Sequence, residues 1–81
     1  MSNQSRYTYI FVAECRGQWG EDFEFKWPVD GSKKWMTEED IDRETERYMR
    51  ERAGPSGEMI RHVHILKRID HWTGRVATGP E

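Results

Sequence analysis

An 81-residue chain has room for one domain, and burying only about 60 to 65 % of its unfolded surface it must have a thin core. Hydrophobic and charged residues stand at 35 % each, no apolar stretch comes near the roughly 18 residues needed to cross a bilayer, and a net charge of −2 excludes a globally basic surface for nucleic acid. Aliphatics are scarce, Leu66 being the only leucine, and the area for a core has to come from four Trp, three Tyr and three Phe. The single cysteine, Cys15, rules out an internal disulfide and fits a reducing compartment. With no charged-then-apolar leader at the N-terminus, the expectation is a cytoplasmic protein. The expected organisation is a flexible tail over 1–5, one α+β domain over 6–77 and a flexible tail over 78–81.

The run Tyr7 to Ala13 is rich in β-branched and aromatic residues and apolar on both faces, the pattern of a central strand. Arg16-Gly17-Gln18-Trp19-Gly20 reads as a hairpin connection needing positive φ at a glycine. Phe23, Phe25 and Trp27 then alternate with Glu24 and Lys26, a half-buried strand that Pro28 is expected to end because it has no N–H to give the ladder. Val29 to Ser32 should turn the chain toward a helix.

That helix carries the strongest local signals. Thr37 is placed as its N-cap, Asp40 as the capping-box acid, and Met36 with Ile41 as a hydrophobic staple. Acids at Glu38, Glu39, Asp40 and Asp42 load its first turn and Arg47, Arg50 and Arg52 its last, both favourable to the helix dipole. Gly54 followed by Pro55 reads as its stop. Ile41, Thr45, Tyr48, Met49 and Ala53 make one narrow apolar stripe, so the helix should lie on one face of the sheet. Met59 to Ile69 is a long strand with Val63 and Ile65 inward, and its alternation slips between Leu66 and Ile69, which predicts a bulge. Thr73-Gly74 could turn the chain into a short fourth strand at Arg75 to Ala77. The predicted architecture is an antiparallel sheet of three or four strands with one helix packed on one face, ββαβ, or ββαββ if the fourth strand forms.

Catalytic constellations are weak. His62 and His64 share a strand face and could take a metal with His71, Cys15 or Asp70, but nothing in the spacing promises the third and fourth ligands zinc needs, so no metal and no cofactor are expected. Cys15 beside His62 or His64 would be the one nucleophile–base pair, without an oxyanion hole or an orienting third group. The Gly17 to Gly20 turn joins two strands and is not a phosphate loop. Arg61, Lys67 and Arg68 on a sheet with aromatics could bind nucleic acid, whereas the helical arginines are matched at i,i+4 by acids: Glu39 with Arg43, Glu46 with Arg50, Glu51 with Arg47.

The tryptophans speak more clearly. Trp27 has a core place, but Trp19 falls in a turn, Trp35 just before the helix and Trp72 just after the last long strand, more indole than one thin core easily buries. These either act as covers at the core's edges or form an exposed patch of the kind that anchors protein interfaces, the one functional signal of weight. The sequence thus points to a non-enzymatic protein-binding module whose partner-binding residues are Trp19, Trp35, Trp72, Glu38, Glu39, Asp42 and Arg68, with the nucleic-acid reading as the alternative. In size, charge density, single-helix pattern and absence of a catalytic set, the chain resembles small phage-encoded inhibitors of host defence, the anti-CRISPR proteins among them. The resemblance implies docking on a larger host complex, such as a CRISPR surveillance complex, that blocks its nucleic-acid binding or nuclease recruitment; separately, an exposed strand edge with aromatics leaves a monomer or a homodimer open. The resemblance assigns no residue a role.

Overall fold

The computed structural model describes residues 5–53 and 59–80. The elements are β1 (Tyr7–Arg16), β2 (Asp22–Gly31), α1 (Glu38–Tyr48) continued by a wider π-helical turn over Met49–Ala53, β3 (Met59–Asp70) and β4 (Val76–Ala77). All strands pair antiparallel in the order β2-β1-β3-β4, so the apolar run of β1 occupies the centre as its pattern predicts. The fold is α+β with ββαββ order, the fourth strand included.

Pleating divides the sheet into two faces. Tyr7, Tyr9 and Phe11 form the buried core on the face toward α1, packed by Trp27 and Val29 of β2, Val63 and Ile65 of β3, and Trp35, Met36 and Ile41 at the start of the helix. Trp27 lies flat against Tyr48 of α1, ring centroids 4.0 Å apart and 13° from parallel, while Tyr9 meets Trp35 edge-on at 5.7 Å. Large rings at the helix–sheet interface do the work that aliphatic side chains do elsewhere. The helix starts as its local chemistry dictates. Thr37 accepts a hydrogen bond from the Asp40 amide, the Asp40 carboxylate accepts one from the Thr37 amide, and both staple residues reach the core.

Three expectations are corrected or refined. Pro28 does not end β2; it pairs opposite Ile10 and the ladder runs on to Gly31. Because β2 is the edge of the sheet, one strand side needs no donors, and a proline is tolerated there. The hairpin after β1 begins at Gly17 and returns by Gly20, whose φ of 84° only glycine adopts without strain. On α1, Arg47 pairs with Glu51 and also with Glu44, while Arg43 turns to Asp40 at 3.6 Å. The helix stop assigned to Gly54 and Pro55 lies outside the described residues, as do residues 1–4 and 81 of the terminal tails.

The irregularity of β3 is now specific. Phe11 pairs with Ile65 and Ile10 with Lys67, leaving Leu66 bulged; a second shift between Glu14 and Cys15 leaves Arg61 out of register. The bulge at Leu66 changes which residues face the helix beyond it. Arg68 and Asp70 therefore point to the core side, opposite Tyr9 and Tyr7.

Candidate functional site

β4 is two residues long and pairs only with Arg68 and Ile69, whereas β3 is twelve. From Met59 to Lys67 the outer edge of β3 thus has no strand partner among the described residues. Beside this edge α1 stands off from the sheet, and no helical residue is fully buried. The gap is a groove of about 610 Å³ whose walls are Trp35, Ile41 and Met49 on the helix side and every residue from Ile60 to Ile65 along the strand, Arg61, His62 and His64 included. Glu38, Asp42 and Thr45 add a polar line along the helix, and Gly79 and Pro80 also border it, where the chain departs from β4.

Of the residues singled out from the sequence, Trp35, Glu38 and Asp42 come together at this groove. Glu39 is exposed on the first turn of α1. Arg68 is 6 % exposed: its guanidinium lies over Tyr7 at 4.6 Å and near Trp35 at 5.5 Å, and it donates to the carbonyl of Lys34. It backs the groove wall instead of meeting solvent. Trp19 and Trp72 are 84 % and 75 % exposed, but they sit beyond opposite ends of β1, in the turns that follow Arg16 and Asp70. At about 3.3 Å per residue the ten residues of β1 hold those ends some 30 Å apart, too far for one patch. Trp72 is further engaged by the Arg6 guanidinium, 4.6 Å above its ring.

Electrostatically the start of the helix is well anchored. Two hydrogen bonds from Lys33, at 2.8 and 3.1 Å, followed by the Thr37 amide and hydroxyl, hold the Asp40 carboxyl down to about 2. Glu38 and Asp42 are exposed beside it and give this side of the groove its negative charge.

The other constellations separate. Cys15 is buried on the helix face, where its thiol donates to the Ala13 carbonyl at 3.6 Å, while His62 and His64 lie on the opposite face across from Glu14 and Val12, so the pleat parts the thiol from both imidazoles. His71 is hydrogen-bonded to the Thr8 hydroxyl at 2.7 Å and Asp70 is engaged by Arg6 at 3.1 Å, so neither joins the histidine pair. The alternative basic set is scattered too: Arg68 is enclosed on the core face, Lys67 lies on the far face opposite Ile10, and Arg61 pairs with Asp22 at 3.6 Å near the other end of β3.

Sequence reasoning missed the groove. Its one sequence signal was the disparity between a long third strand and the three residues allotted to a fourth, which must leave most of one edge unpaired. No family model matches this chain, and no curated protein or solved structure is significantly similar to it.

Proposed function

We propose that the protein is a non-enzymatic protein-binding module that takes an extended segment of a larger partner as an added strand along β3, under the flank of α1. The observation that carries this reading is the edge from Met59 to Lys67, without a strand partner among the described residues, lying beside a groove with apolar residues on both walls. Open backbone N–H and C=O groups supply affinity to any extended chain, and alternate side chains of that chain would enter the space between Met49, Ile41 and Ile65. Glu38 and Asp42 favour a basic residue in the segment. The occupant is therefore a strand with apolar residues at every second position and a Lys or Arg near the start of α1. Docked on a host complex, a domain of this size would cover a nucleic-acid entrance or a nuclease-docking surface, which is the inhibitor role that the phage-protein resemblance implies.

Selection from a library of displayed peptides tests this directly. The expected winners have that alternation, shift the amide resonances of residues 60–67, and lose about tenfold or more in affinity against Met49→Asp, while Trp19→Ala leaves them unchanged. Winners that leave residues 60–67 undisturbed would overturn the groove. Tight binding of single-stranded or duplex DNA with a steep salt dependence would favour the nucleic-acid reading in its place.

A further inference from the structure

On the face of the sheet away from α1, three metal-ligating side chains converge. His62 and His64 stand two residues apart on β3 with their rings stacked at 5.4 Å, and Glu14 of β1 is the direct ladder partner of His62. One ligand atom from each of the three lies within 4.8 Å of the others. We propose that Glu14, His62 and His64 form a site for a divalent transition-metal ion of the zinc class.

Four observations carry the assignment. First, the ligand that the His-Val-His spacing did not promise comes from the neighbouring strand through the register, which brings Glu14 Oε2 to 3.7 Å from His64 Nδ1. Zinc held at about 2.0 to 2.1 Å in tetrahedral geometry needs ligand atoms some 3.4 Å apart, so modest rotations of half-exposed side chains close the set. Second, His64 Nδ1 is shielded from solvent and has no hydrogen-bond partner among the described residues, a ring nitrogen that in its unprotonated form a metal ion satisfies. Third, Glu14 also faces Glu24 directly in the β1–β2 ladder, a like-charge pair that disfavours the sheet and that a dication on Glu14 relieves. Fourth, Glu24 and His62 line the same open cleft as Glu14, which leaves room for Glu24 or water as the fourth ligand. Two imidazoles with carboxylate suit zinc or cobalt, whereas magnesium and calcium prefer all-oxygen shells.

The position also gives the ion a role. The rungs that carry His62 and His64 lie between the two register shifts of β3, at Leu66 and at Arg61. An ion bridging β1 and β3 there pins the register where the ladder slips on both sides.

The test uses the full chain freed of any histidine tag and stripped with chelator. Thermal unfolding is followed by circular dichroism with zinc or magnesium chloride added, and the visible spectrum is recorded with cobalt. Zinc at a hundred times its dissociation constant should raise the melting temperature by roughly 10 °C, magnesium should not, and cobalt should give the intense absorption of a tetrahedral site. Glu14→Gln and His64→Ala should abolish both effects, and His71→Ala should keep them. His62→Ala and the cobalt spectrum decide the matter if His64→Ala does not fold. No zinc response in the wild type, an equal response to magnesium, or a response that survives Glu14→Gln and His64→Ala would overturn the site.

Discussion

Asp70 closes β3 with four donors around one carboxylate: Arg6 Nε at 3.3 Å, Arg6 Nη2 at 3.1 Å, and the amides of Trp72 and Thr73 at 2.9 and 3.3 Å. The Arg6 hydrogen bonds, with help from the two amides, hold its carboxyl down to about 2 from an ordinary 3.8, as Lys33 and Thr37 do for Asp40. A lowered folded-state value means that the ionised form stabilises the fold. That contribution is complete above the ordinary value near 3.8 and is lost as the pH falls through about 2. Urea unfolding should therefore show stability dropping between about pH 4 and about pH 2. Asp70→Asn should lower the midpoint at neutral pH and flatten that acid slope; an unaltered slope in the Asp40→Asn, Asp70→Asn double variant would place the acid sensitivity elsewhere. The Arg6–Asp70 pair was not legible in the sequence, because the two residues are 64 positions apart, whereas Asp40 already stood out as the capping-box acid. Arg68 was misread for a related reason. A charged residue in a strand is taken for a surface group, and only the bulge at Leu66 and two neighbouring rings make it a buried cover.

The start of the helix was legible to the residue, since its determinants are local. Thr37, Asp40, Met36 and Ile41 lie within six positions and need no tertiary information to act. Thr37→Ala is expected to cost about 1 kcal/mol, read as a shift in the urea midpoint. Long-range pairings were only half legible. The alternation of β2 put Trp27 on the core face, but its partner Tyr48 followed only once the helix was docked. A double-mutant cycle on Trp27→Leu and Tyr48→Leu should find about 1 kcal/mol of coupling, and none if the stack is not formed in solution. The reading of Pro28 failed because strand order decides what a missing donor costs: in a central strand it ends the ladder, at an edge it does not. For the same reason the slip in β3 announced a bulge, while the identity of the residue opposite each histidine, and hence Glu14, had to wait for the register.

At the scale of the molecule, the sheet has two unequal edges. β2 closes one with Pro28 and with charges at Asp22, Glu24, Lys26 and Asp30 along the strand, devices that discourage further pairing. Among the described residues β3 leaves the other open over most of its length, since β4 covers only Arg68 and Ile69. Hydrogen exchange distinguishes the two situations strand by strand. Amides of β1, bonded on both sides, should exchange slowest, while in β3 the outward-facing amides between 60 and 67 should exchange fast and their inward neighbours slowly. A bound peptide should protect the outward set alone, because strand addition supplies acceptors to that edge and to no other. Protection that grows with protein concentration in the absence of peptide would show instead that two copies pair edge to edge, and uniform protection in the dilute free protein would mean that the edge is not available to a partner at all.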